Sequence, residues 1–367
     1  MTNSVLERTE TAPPKVTAVS NEQSLIKRKP PGQRLLVYVG IACAIASTQV
    51  ASLKFGHNDK AESNAPVAAT PAPPPIALTY PLDELRTKIE AVSNLKGLRA
   101  GVFALDPSSG KYVDYRGKDE YAAASMIKIP VLVAMLQAVD RGEIKQDQLV
   151  EVRQDLVTGG SGWLQWRPAG SKVVLKEVAE LMMVVSDNTA TNMIIDLLGG
   201  KEKLDGQFTS WGLERTRINN LLGDFEGTNK TNPYDMVYLM ARIERGELLS
   251  GASRKWMYEV MSRTRIRTLL NPGLAPGAKI AHKTGDIGMM VGDAGIVTTP
   301  SGRRYIVSVQ VERPHNDRRA NLLIRALSKM IYKCFSQPAV TCDDVKEEPL
   351  ESLQGPVRHS GRHHRRH

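Results

Sequence analysis

Two strand–turn–strand signals bracket the folded part of this chain, and no other feature limits its architecture as tightly. The first is "GVFALD" followed by "PSSGKYVDY"; the second is "DAGIVTT", the turn "PSG" and "RRYIVSVQV". Each is an apolar run interrupted by turn residues, the pattern of an antiparallel hairpin. Helical periodicity flanks them on the outside. "PLDELRTKIEAVSNL" sets Leu82, Leu85, Ile89 and Val92 on one face, and "NLLIRALSKMIYKCF" does the same for Leu323, Leu327, Met330 and Ile331. Between the hairpins lies a long helical middle. Strands at both ends that enclose helices predict an antiparallel sheet flanked by helices, with a helical subdomain, over residues 79–335.

The 367 residues exceed one average domain, so one folded domain with long appendages is expected. With 41% hydrophobic and 24% charged residues the core is large enough to fold without staples. The net charge of +10 crowds at the ends, in Lys27, Arg28, Lys29 and Arg34 and in "RHSGRHHRRH". End-loaded charge points to an anionic surface, and no nucleic-acid motif accompanies it. Residues 1–34 read as a cytoplasmic polar and basic tail. "LLVYVGIACAIASTQVASL", residues 35–53, is a membrane anchor or signal segment, with "AIA" at 44–46 as a possible cleavage site. Its basic flank precedes it, so the chain beyond residue 53 is expected outside the cytoplasm, at the periplasmic or extracytoplasmic face of the inner membrane. Residues 54–78 are a proline-rich spacer, and residues 336–367 a His- and Arg-rich tail. Cys334 and Cys342 are spaced for a disulfide in an oxidising compartment, with two idle thiols as the alternative.

The chemistry centres on "YAAASMIKIP". A serine hydroxyl is a poor nucleophile until a base takes its proton, and no serine–histidine arrangement is evident. A lysine can serve instead. The apolar run after Ser125 predicts a buried helix starting near it, which sets Ser125 and Lys128, at i and i+3, on one face. For Lys128 to act as base it must lose its proton near neutrality, which burial and a second nearby cation both promote. "VSDNTATN" offers Ser186 as a proton relay to a leaving nitrogen and Asn188 as a carboxamide able to hold Lys128 and a substrate amide together, with Asp187 turned away to hold the loop. "AHKTGDIG" offers Lys283 as the second cation, Thr284 beside it and Gly285 for close backbone approach. The backbone N–H groups of Ser125 and Asp286 then form an oxyanion hole, if strand and helix start face each other.

S-x-x-K, S-D-N and K-T-G, in this order, resemble the class A β-lactamases and penicillin-binding serine hydrolases. The resemblance covers roughly residues 80–335, and it implies an α/β (α+β) sandwich and attack by Ser125 on a β-lactam carbonyl, without metal or organic cofactor. Implied partners are a β-lactam or a peptidoglycan peptide, and a monomer is expected. Within the same fold the rival is a penicillin-binding D,D-peptidase or endopeptidase. From another class, the rival is a noncatalytic wall-binding module. The resemblance also implies a glutamate followed four residues later by asparagine, which position the deacylating water; "RINNLLGDFEGTNKTNPYDM" lacks that pattern. Glu226 is the candidate base there, with Asp224 as the alternative.

Overall fold

The computed structural model describes residues 76–337. The expected tail at 1–34, the apolar segment at 35–53, nearly all of the spacer and the basic tail beyond residue 337 lie outside the described residues. In chain order the elements are β1 (Tyr80–Pro81), α1 (Asp83–Ser93), β2 (Arg99–Asp106), β3 (Lys111–Tyr115), β4 (Tyr121–Ala122), a 3₁₀ turn (Ala124–Ile127), α2 (Lys128–Asp140), β5 (Leu149–Glu151), β6 (Lys172–Val174), α3 (Leu175–Val184), α4 (Asn188–Leu197), α5 (Lys201–Ser210), β7 (Lys230–Thr231), α6 (Pro233–Glu244), α7 (Gly251–Ser262), β8 (Lys279–Asp286), β9 (Met290–Thr298), β10 (Arg304–Glu312) and α8 (Arg319–Phe335).

The two hairpins join into one six-stranded sheet of order β1-β3-β2-β10-β9-β8. β10 is its seam: it pairs antiparallel with β9, its hairpin partner, and with β2 from the far end of the domain, in register Ile306↔Leu105 to Glu312↔Arg99. One pairing departs from the antiparallel expectation. The two-residue β1 runs parallel to β3, through Tyr80↔Lys111. The fold is the expected sheet sandwiched between helices.

Both faces of the sheet are covered, so its inner strands are buried almost end to end. Alternation sorts their side chains. Val102, Ala104, Val307, Val309 and Val311 pack with Leu85 and Ile89 of α1 and Leu323, Leu327 and Ile331 of α8. Phe103, Leu105, Ala294, Ile296 and Ile306 pack on the other face with the helical subdomain. At its centre is α2, buried from Lys128 to Leu136, an all-round apolar helix that only the interior can accept.

A short pairing ties down the segments around the 3₁₀ turn. β4 pairs with β7, and Ala123 N donates to Asn229 O at 2.7 Å. α6 starts at Asn232, whose side chain accepts from Asp235 N, with Pro233 in the first helical turn. Ile76, expected in the spacer, already packs against the core. Cys334 is disulfide-bonded, and its expected partner Cys342 lies outside the described residues. No helix among the described residues is long and apolar enough to cross a membrane.

Candidate active site

The helix expected near Ser125 is there, with Ser125 placed just ahead of α2 itself. That serine lies in the 3₁₀ turn before the helix, and Lys128 is the first residue of α2. In a 3₁₀ turn residues i and i+3 eclipse, which brings Lys128 Nζ to 3.1 Å from Ser125 Oγ. The turn is entered through Ala124 at φ +43°, a left-handed conformation that costs a residue with a β-carbon about 1 kcal/mol or more.

Lys128 Nζ also reaches Ser186 O at 2.7 Å, Ser186 Oγ at 3.0 Å and Asn188 Oδ1 at 2.8 Å. These contacts offer more oxygens than an ammonium has protons, and a neutral amine can instead use its lone pair toward a hydroxyl. Burial drives the Lys128 pKa well below the ordinary lysine value, the nearby Lys283 charge lowers it further, and Asp187 opposes both. Lys283 Nζ donates to Ser186 Oγ at 3.0 Å and to Thr284 O at 2.9 Å. Burial lowers its pKa to about 8, against the pull of Asp293. One hydroxyl therefore touches both lysines.

Ser186 holds that place at φ +61°, just before Asp187 caps α4. The Asp187 carboxylate accepts from Ala190 N at 2.8 Å, Trp163 N at 2.6 Å and Leu164 N at 2.8 Å. It anchors the loop and leaves Ser186 and Asn188 facing Lys128. The Asn188 carboxamide is fixed at its other end, with Nδ2 donating to Gly159 O at 3.0 Å.

β8 is the outer strand of the sheet on this side. Ile287 N donates to Met290 O, so residues 285 and 283 face β9 with their backbone groups, while those of 286, 284 and 282 point to the free edge. The carbonyls agree: Thr284 O accepts from Lys283 Nζ and His282 O from Thr264 Oγ1. Asp286 N–H thus points outward, toward the catalytic turn. A β-carbon on Gly285 would lie 3.1 Å from Ser125 N and 3.0 Å from Ala124 Cβ, so strand edge and turn are in close apposition. Ser125, Ser186, Thr284, Gly285 and Asp286 line a common cleft of about 140 Å³, together with Ile266, Leu269 and Asn321. Asp286 Oδ1 is ion-paired at 2.5 Å to Arg313, whose side chain is almost fully buried.

The structure brings Ser125, Lys128, Ser186, Asn188, Lys283, Thr284, Gly285 and Asp286 together and sets Glu226 apart. Glu226 lines a separate cavity of about 630 Å³ with Arg99, Lys230, Glu312 and Arg313. Asp224 is buried and occupied, accepting from Thr228 N at 3.0 Å, Thr228 Oγ1 at 2.7 Å and Asn229 N at 2.7 Å. Both lie in a stretch without periodicity, where sequence distance is a poor guide to direction. Sequence reasoning passes over Phe225 between them, although an aromatic residue in a polar, glycine-containing loop is a signal. Among the described residues no three His, Cys, Asp or Glu side chains converge to hold a metal ion.

Comparison with known proteins bears on the family and the fold. Residues 84–335 match the model of the β-lactamase enzyme family, and the chain belongs to that family. The β-lactamase CARB-4 of Pseudomonas aeruginosa is 27% identical over 250 residues, which cover 64% of this chain and 85% of that one. Among solved structures PBP-A is 46% identical, with a TM-score of 0.70 over 71% of this chain and 99% of that one. A single-residue mutant of PBP-A, solved as an acyl-enzyme complex with penicillin G, superposes with a TM-score of 0.69 at 46% identity, over 72% of this chain and 99% of that one.

Proposed function

We propose that this domain is a penicillin-binding serine enzyme that forms a long-lived acyl-enzyme with β-lactams and takes cell-wall peptides as its natural acyl donors. The carrying observation is an asymmetry. A full set of acylating groups surrounds Ser125, while the nearby loop's Asp224 is committed to Thr228 and Asn229 and Glu226 lines another cavity. The 46% identity to PBP-A supports the same reading. Rapid β-lactam turnover is the second reading, favoured by the matched β-lactamases at 24–27% identity.

In this scheme neutral Lys128 takes the Ser125 proton, and Oγ attacks the carbonyl carbon. The N–H groups of Ser125 and Asp286 hold the oxyanion, an arrangement whose single donors contribute about 10²–10³ in rate elsewhere. Ser186 Oγ passes the proton to the departing nitrogen. Lys283 and Thr284 hold a substrate carboxylate, and Asn188 aligns the acyl amide. The apolar segment at 35–53 fits an anchor that holds the domain outside the cytoplasm.

Mass spectrometry of the full-length chain over time with penicillin G tests this. One adduct on Ser125 that persists for many minutes is expected, with none on Ser125→Ala. Lys128→Ala should acylate at least about 10²-fold more slowly. An adduct on another serine would overturn the assignment, and one gone within seconds would favour turnover.

A further inference from the structure

Between Leu222 and Gly227 the sequence sets an aromatic ring between the two carboxylates, and its surroundings include a residue of the Ser125 cluster. Phe225 is wedged between glycines of two different loops. A β-carbon on Gly160 would meet Asn188 Nδ2 at 2.8 Å and the Phe225 Cζ at 3.1 Å; one on Gly223 would meet Phe225 Cε2 and Cζ at 2.7 Å and Asn188 Nδ2 at 3.4 Å. A side chain at Gly223 would displace the ring and one at Gly160 would crowd it, and Gly160, at φ +95°, is in a region that favours glycine in any case. Gly160 and Gly223 thus each have both the ring and the Asn188 carboxamide as near neighbours, and that carboxamide's Oδ1 accepts from Lys128 Nζ, which in turn contacts Ser125 Oγ. The ring is nevertheless 57% exposed. A large apolar group left in water beside a polar cluster gains little for the fold, so its stability contribution does not explain its place.

We infer that Phe225 is a hydrophobic shield that sets the lifetime of the acyl-enzyme by denying water the approach to the Ser125 ester along the Asn188 side. The inference rests on the acyl-enzyme chemistry proposed above. Hydrolysis of the ester requires a water oxygen to add to the acyl carbon and the bond from that carbon to Ser125 Oγ to break. One water proton returns to Oγ by way of Lys128 Nζ, and the product leaves as a carboxylic acid. Acylation needs no water at that place. The ring therefore acts on the second half-reaction, which distinguishes it from every residue that positions the nucleophile.

Penicillin G is the probe, with the full-length chain and its Phe225→Ala, Phe225→Leu, Phe225→Tyr and Glu226→Gln variants. Adduct formation is followed by stopped flow and adduct decay by mass spectrometry. Phe225→Ala is expected to acylate within about twofold of the parent and to lose its adduct about tenfold faster, because exclusion of water is what it lacks. Phe225→Leu should lie between, and Phe225→Tyr, with the ring retained, should keep the parent lifetime. Glu226→Gln should also keep it. Equal lifetimes in Phe225→Ala and the parent overturn the shield alone, as does a fall in acylation that matches the change in decay. A parent that gains no adduct overturns the proposed function and the shield with it.

Discussion

Lys128 and Lys283 donate to the same hydroxyl, Ser186 Oγ, at 3.0 Å each, and burial depresses both. The proposed scheme needs them in opposite states. Lys128 must be neutral to take a proton, whereas Lys283 must be charged to hold a carboxylate. Acylation of penicillin G should therefore rise with pH as Lys128 deprotonates and fall above about pH 8 as Lys283 does. Lys283→Ala removes the alkaline limb and lowers the rate. It also removes a charge that depresses Lys128, so the acid limb moves to higher pH. Lys283→Arg keeps a charge there and should leave the acid limb near its parent position. The check is the second-order acylation rate from about pH 5 to about pH 10; an acid limb indifferent to Lys283→Ala would refute the coupling.

At the scale of elements, the site is an outer strand pressed against a strained turn. Gly285 of β8 makes the approach possible, since a β-carbon there would meet Ala124 Cβ at 3.0 Å, Ser125 N at 3.1 Å and Ala123 O at 3.3 Å. Gly285→Ala must push back the backbone of the turn rather than a flexible side chain. Acylation is expected to drop by about 10–100-fold, the cost of small misplacement at a reacting centre, with the thermal midpoint within a few degrees of the parent. An unchanged rate would show that the turn yields without consequence. Periodicity decides how much of this scale is legible in the sequence. The two hairpins, α1 and α8 are readable because alternation and helical spacing run over whole elements. The 3₁₀ turn at Ala124–Ile127 is not, since its apolar residues continue the pattern of the helix behind it. β1 has two residues and no pattern to show. The cluster from Ser125 to Asp286 is legible through its motifs, while the surroundings of Asp224, Phe225 and Glu226 are not, because they lie in a loop without periodicity, where Asp224 turns back onto Thr228 and Asn229 and Phe225 lies near Gly160 of another loop.

For the whole molecule, the buried lysines make stability depend on pH in a defined direction. Lys283 has a folded pKa of about 8 against an ordinary value of 10.5, so between these limits the unfolded chain binds more protons than the folded one. Its penalty is full below about pH 8 and is relieved as pH rises toward 10.5, on the order of 3 kcal/mol for a fully buried group. Relative to Lys283→Met, the parent should gain in thermal midpoint as pH rises through that window; a constant difference would refute the linkage. The seam between β2 and β10 has a different reach. A ribosome delivers the chain from its N-terminus, and β2 emerges long before the strand that pairs along Arg99 to Leu105. Until Glu312 has been made, the inner side of β2 presents unpaired backbone groups and apolar side chains to whatever is nearby. Holding the nascent chain apart from its neighbours for that interval is thus a requirement that the order of strands imposes on its synthesis.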